Sequence, residues 1–323
     1  MTSHRCLVAD IGGTNARFAL VRPGQAQIGD VVSLQCKDFA GPLEAAQAYL
    51  KQCAVFPGAI QRAAFAVATA INDDAIKLTN SAWSFERSDL ERALGIGRLE
   101  IFNDFEALAL SLPGLATMDF RPIGATMPTL TLPMVAIGPG TGLGVAGVIP
   151  GKRGWIAVPG EGGHATLAAS DDFEAEILRA ARQEFSHVSA ERLLSGIGLP
   201  VLLRAVCAVQ GVTSIDLPAE EISALGVTKQ NHQCSTAMDL FFAFLGSFAG
   251  NVALTFGARG GVFIGGGIVP KLQDFLAGSR FRERFESKGR FQPYLAGIAT
   301  ATITDPYAAL RGLACGLETT RPA

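Results

Sequence analysis

The chain of 323 residues is long enough for about two domains of roughly 150 residues each. With 49% hydrophobic and only 17% charged residues it is too apolar to be disordered, and 27 Lys+Arg against 29 Asp+Glu exclude a basic surface built for nucleic acid or an anionic membrane. Six dispersed cysteines without a CxxC pair exclude a zinc ribbon and a disulfide scaffold, and fit thiols kept reduced in a cytosol.

In chain order, residues 6–10 and 16–21 are expected to be short strands joined by a glycine-rich turn. The few apolar residues before Asp10 are too short a run for a signal peptide. Residues 31–37 and 63–68 read as further strands, and 43–53 and 86–94 as helices. A strand over 99–102 ends in Asn103-Asp104 and gives way to a helix over 105–112, which Pro113 stops. The Pro- and Gly-rich stretch 113–133 is the expected crossing between domains. Helices follow near 172–185, 190–195, 199–210, 218–225 and 235–258. Strands return near 262–265 and 298–303, and a last helix near 307–318 closes the chain. The alternation predicts an α/β fold. Its expected domains are a small one over 1–113, rejoined by 306–323, and a large one over 114–305.

Residues 240–258 are uncharged, carry five Phe and place Gly246 and Gly250 at GxxxG spacing, so by length alone they could cross a membrane. Ser247, Asn251 and Thr255 recur every fourth residue, and no Lys/Arg cluster flanks both ends. A buried core or subunit-contact helix is therefore expected. Residues 122–151 are also uncharged, but seven Gly and five Pro exclude a helix there.

One feature repeats. Asp10-Ile11-Gly12-Gly13-Thr14-Asn15 and Ile137-Gly138-Pro139-Gly140-Thr141 each lie between two apolar runs, one in each half. Glycines let backbone N–H groups approach a ligand and allow positive φ; successive N–H groups with a Thr hydroxyl suit phosphate oxygens. Asp10, at a strand end, is a hard ligand for Mg²⁺, directly or through water. A plain β-hairpin would also use such a turn, but the twin at Gly138–Gly144 favours a pair of clamps on a nucleoside triphosphate. A third cluster, Gly265-Gly266-Gly267, offers bare backbone to a base and ribose, or simply packs a strand tightly against a helix.

The Asp of Asn103-Asp104 is either a helix N-cap or a carboxylate that accepts a proton from a substrate hydroxyl, with the Asn amide orienting that hydroxyl. Glu161 and His164, in Pro159-Gly-Glu-Gly-Gly-His164, give the mixed donor and acceptor set that polyols need. Glu191 is a second acceptor or merely a charge in a first helical turn, and Asn80 is a minor candidate for the same region. A Walker A loop, a G-x-G-x-x-G dinucleotide fingerprint, a G-x-S-x-G elbow and an H-E-x-x-H motif are all missing from the sequence.

Asp10–Asn15 with Arg17, Phe102-Asn103-Asp104-Phe105, Gly138–Gly144, Pro159–His164, Val188–Arg192 with Leu194-Ser195-Gly196, and 261–271 occur in this order across nearly the whole chain. Together they resemble the bacterial glucokinases of the enterobacterial type. The resemblance implies a two-domain actin-like ATPase (ribonuclease H-like) fold with a cleft between domains. It also implies a cytoplasmic homodimer of glycolysis that moves the γ-phosphoryl group of ATP to the 6-hydroxyl of glucose with Mg²⁺. On that resemblance Asp104 is the catalytic base, and Asn103, Glu161, His164 and Glu191 hold the sugar. Asp10, Gly12, Gly13, Thr14, Asn15, Gly140, Thr141 and the glycines at 265–267 hold MgATP. Ala70 and Ile197 stand where many relatives carry proline, which relaxes loops expected to border the sugar. The alternatives are a kinase for another hexose or phosphate donor, and a non-catalytic sugar or nucleotide sensor of the same fold; no nucleic-acid or membrane partner is expected.

Overall fold

The computed structural model describes residues 5–22, 28–56, 58–69, 71, 73–78, 83–152 and 154–319. The chain divides into two compact units: 1–115 with 148–159 and 305–323, and 116–147 with 160–304.

The first unit begins with strands β1 (Arg5–Ile11), β2 (Asn15–Val21) and β3 (Ile28–Gln35), then helix α1 (Pro42–Gln52) and strand β4 (Ile60–Val67). A small antiparallel pair, β5 (Ala75–Lys77) and β6 (Ser84–Glu86), leads into α2 (Arg87–Leu94), β7 (Arg98–Asn103) and α3 (Asp104–Ser111). The main sheet runs β3-β2-β1-β4-β7, with β1, β4 and β7 parallel and β2 and β3 antiparallel to their neighbours. Strand β4 sits between parallel neighbours and is covered on both faces, which is why it reads as an unbroken apolar run: Ala63 through Val67 are fully buried. Phe18 stacks on Tyr49 at 5.5 Å between ring centroids and meets Phe65 edge-on, tying β2 and β4 to α1.

The second unit contains β8 (Phe120–Ile123), β9 (Met134–Pro139), the start of β10 (Leu143–Gly151), α4 (Asp172–Ala181), α5 (Gly198–Gln210), α6 (Ala219–Val227) and α7 (His232–Phe256), while the rest of β10 and β11 (Gly154–Gly160) up to Pro159 fall in the first. After these come β12 (Gly261–Ile264), the short helices α8 (Gln273–Gly278), α9 (Phe281–Glu286) and α10 (Gln292–Ala296), and β13 (Thr300–Ile303). Its sheet runs β11-β10-β9-β12-β13-β8, with 148–159 of β10 and β11 counted in the first unit. The first five strands repeat the order of the other sheet, so the duplicated turn seen in the sequence belongs to a duplicated fold.

Helix α7 is long and apolar enough to cross a membrane, yet 240–250 are buried without interruption in the second unit's core. Its GxxxG glycines lie against α9: a Cβ at Gly246 would strike the Phe281 carbonyl, and one at Gly250 would lie 2.5 Å from that of Phe285. Of the expected polar stripe only Ser247 is interior; Asn251 and Thr255 face solvent. Beside α7 lies a buried ionic knot. Arg284 reaches Glu174, which is fully buried, at 2.7 Å and also pairs with Asp171, the N-cap of α4.

Two sequence expectations fail locally. Residues 190–195 form a turn rather than a helix: after one bond from the Leu194 N–H to the Ala190 carbonyl, the Gly196 N–H leaves the ladder for the Gly140 carbonyl at 2.7 Å, and Ser195 Oγ donates to the Glu191 carbonyl. The stretch 113–133 is more than a connector, since 120–123 pair antiparallel with β13 as an edge strand. The last helix, α11 (Ala308–Thr319), rejoins the first unit and packs on α3 so closely that a Cβ at Gly312 would collide with the Ala107 carbonyl.

Candidate active site

In the first unit the carboxyl ends of β1, β4 and β7 align: Ile11 is in register with Val67, and Val67 with Asn103. The carboxyl edge of a parallel sheet is where ligands of open α/β folds sit. Two chain segments leave the sheet at this edge, about 10 Å apart at two strand spacings. They are the turn Gly12–Asn15 after β1 and the Asn103-Asp104 junction after β7.

The first turn closes by the Gly12 N–H donating to the Asn15 carbonyl at 3.0 Å. On its outer side the Cys36 N–H donates to the Thr14 carbonyl at 2.8 Å, and Cys36 Sγ lies 3.5 Å from the Gly12 carbonyl. These bonds hold the carbonyls back towards β3, while Gly13 and Thr14 remain exposed. Gly12 and Gly13 do not use the positive φ expected of them; what the absent side chains provide here is an open approach to the backbone. Asn15 is engaged within the sheet, its Oδ1 accepting from Gln35 Nε2 at 2.5 Å. Asp10 faces Arg17 across the hairpin at 3.2 Å, and burial nevertheless pushes its carboxyl above the ordinary carboxylate range.

At the second junction the N-cap of α3 is Asn103. Its Oδ1 accepts from the N–H groups of Phe105 (2.9 Å) and Glu106 (3.4 Å), and Glu106 returns a bond to the Asn103 N–H, completing a capping box. Asp104 therefore occupies the first helical position, half-buried, with Oδ1 sharing the Phe105 N–H at 3.0 Å. Burial raises the Glu106 carboxyl.

In the second unit the turn after β9 and the glycines after β12 are neighbours. The Gly265 N–H donates to the Ile137 carbonyl at 2.8 Å, and Gly140 lies against Gly267. Gly266 has φ +80° and packs so tightly on the Pro139 carbonyl that no Cβ fits. Close by, His164 stands 4.0 Å from both Glu161 and Glu191. Glu161 and His164 are exposed, whereas Glu191 is largely covered. Expected site residues thus gather into one group within each unit; Asn80 and Ala70 lie outside the described residues.

Sequence reasoning missed a cavity of about 820 Å³ in the second unit, bordered by Gly140, Thr141, Gly196, Ile197, Gly267 and Lys271 and walled by α6. Ile197, in a loop expected to border the sugar, lines this cavity. The helix over 219–227 was legible, but nothing in its sequence tells which face borders a hollow. Among the described residues no group of three or more His, Cys, Asp or Glu could hold a metal by itself.

The chain matches the glucokinase family model over residues 7–320. It is 48% identical over 320 residues to a glucokinase of Paramagnetospirillum magneticum, covering 98% of each chain. With a glucokinase of Chromobacterium violaceum it shares 46% over 312 residues, covering 96% of this chain and 88% of that protein. Among solved structures, a glucokinase from an Antarctic psychrotroph superposes with a TM-score of 0.90 at 37% identity, covering 98% of this chain and 99% of that one.

Proposed function

The chain belongs to the glucokinase family, with the two-sheet actin-like ATPase fold, and from that membership we propose how its own residues carry out the reaction. It is an ATP-dependent hexose kinase that moves the γ-phosphoryl group of ATP to the 6-hydroxyl of glucose, giving glucose 6-phosphate and ADP. Asp104 accepts the proton of that hydroxyl as its oxygen attacks phosphorus and the bond to the β-phosphate oxygen breaks. Asn103, Glu161, His164 and Glu191 bind the sugar, and the exposed amides of the turns at 12–14 and 140–141 bind the phosphates. The cavity beside Gly267 takes the base and ribose, since it is large enough and bordered by backbone and apolar side chains.

The observation that carries this reading is the fixed position of Asp104. The capping box is built on Asn103, so the neighbouring carboxylate stands at the same sheet edge as the Gly12–Asn15 turn. Asp10 fits a Mg²⁺ that accompanies ATP: a single partly covered carboxylate beside a phosphate turn suits an ion that keeps several waters and binds mainly through substrate phosphates. When bound, Mg²⁺ neutralises phosphate charge. Six dispersed cysteines without a CxxC pair agree with a cytoplasmic enzyme of glycolysis, and the homodimer is carried over from the family resemblance.

A coupled assay over a panel of hexoses and phosphate donors tests the reading. Turnover is expected with glucose and ATP; equal rates with mannose, fructose or a polyphosphate donor would reassign the substrate.

A further inference from the structure

Glu191 touches more than the sugar loop. Its Oε2 accepts the Leu143 N–H at 2.9 Å, and a Cβ on Gly142 would lie 2.5 Å from that same oxygen. Its other oxygen, Oε1, faces His164 Nδ1 at 4.0 Å. Its backbone is fixed on both sides: the N–H donates to the Gly163 carbonyl at 2.9 Å, and the carbonyl accepts from Ser195 Oγ at 2.7 Å. One residue past Ser195, the Gly196 N–H donates to the Gly140 carbonyl at 2.7 Å. The turn at 138–144 is therefore held from the 191–196 segment at two points.

We infer that Glu191 is a positioning residue for the glycine turn at 138–144 as well as a sugar ligand, so that one carboxylate couples phosphate and sugar subsites within the second unit. The inference rests on the proposed roles of that turn and of the loop carrying Glu161 and His164. An ionised acceptor makes a stronger bond to a backbone N–H than a neutral one, and Leu143 is buried with the carboxylate in place, so removing it takes away the acceptor that holds this N–H. Gly142 is then glycine to admit this carboxylate. A sugar hydroxyl drawing on Oε1 acts on the group that sets the turn.

Calorimetric titration of the whole protein with ADP in the absence of sugar, and with glucose in the absence of nucleotide, tests this. For Glu191→Gln the amide oxygen still accepts from Leu143, so ADP affinity is expected within about twofold of wild type while glucose affinity falls about tenfold or more. For Glu191→Ala both weaken, ADP by about five- to tenfold, the equivalent of one lost hydrogen bond. His164→Ala weakens glucose alone. Gly142→Ala, which adds one methyl group to the phosphate turn, weakens glucose as well, because it displaces Glu191. Unchanged ADP affinity in Glu191→Ala, or unchanged glucose affinity in Gly142→Ala, overturns the coupling while leaving the kinase reading intact. A wild-type protein that binds neither ligand overturns both. Should Glu191→Ala not fold, the Gln and Gly142 variants decide.

Discussion

The side-chain amide of Asn103 donates from Nδ2 to the Thr69 carbonyl at 3.3 Å while its Oδ1 caps α3. Loop, strand end and helix start are thus joined through one side chain. Asp104, next in sequence, is positioned by that junction.

Asp104→Ala is expected to lower kcat by about 10²–10⁴-fold, the usual contribution of a positioned base, with glucose binding retained. The capping box stays in place, so the melting temperature should move little. Steady-state kinetics beside a thermal melt check both; a large drop in Tm with near-normal turnover would make Asp104 a structural residue.

Asn103→Ala removes the cap and the tie to Thr69 together. It is expected to cost about 1 kcal/mol in stability and to lower kcat through misplacement of Asp104. Asn103→Asp keeps an oxygen for the cap but loses the Nδ2 donor. It should therefore regain most of the stability without regaining the rate, as denaturant unfolding and initial rates would show.

Gly266→Ala puts a Cβ into a left-handed backbone and against the Pro139 carbonyl. The conformation alone costs about 1–2 kcal/mol, and the crowding shifts the glycines beside the cavity. The KM for ATP is expected to rise while calorimetric glucose affinity holds. The reverse pattern would move these glycines out of the nucleotide site.

Arg284→Met leaves Glu174 buried without its cation, and removing one member of such a pair typically costs about 3–5 kcal/mol. The deficit should depend on pH. The Glu174 N–H, and after it Arg284, hold the Asp171 carboxyl below its ordinary 3.8. A carboxyl lowered by folding adds stability that is complete above its unfolded pKa and is lost as pH falls through its folded value. The variant forgoes part of that support, so its deficit is widest near neutrality and narrows in acid. Unfolding curves at pH 7 and at a series of lower pH values carried below the folded value of Asp171 measure the difference; an equal gap throughout would show that ionisation contributes nothing.

Much of this was readable from the chain because it rests on local chemistry. Glycines between apolar runs marked both hairpin turns, and Asn103-Asp104 marked the change from strand to helix. Which of those two residues caps the helix was not readable, since both are good N-caps and the choice depends on Thr69 and Glu106. Glu191 looked helical because Ser189 precedes it; the long-range bond from the Gly196 N–H to the Gly140 carbonyl stopped the helix after one turn. The short helices at 273–296 and the strands at 120–123 and 154–160 carry weak patterns and exist through packing partners far along the chain. The cavity walled by α6 is a property of tertiary shape, and no spacing of residues encodes it.

Helix α11 packs on α3, whose first residue is Asp104, and Gly312 makes that seating possible. A ribosome emits the segment carrying Asp104 early and the helix that braces it only after the whole second unit has been made. The glycine turns after β1 and β9 are therefore made well before α3 has its final support. The helix that begins at Asp104 thus receives its packing partner from one of the last segments of the chain to be made.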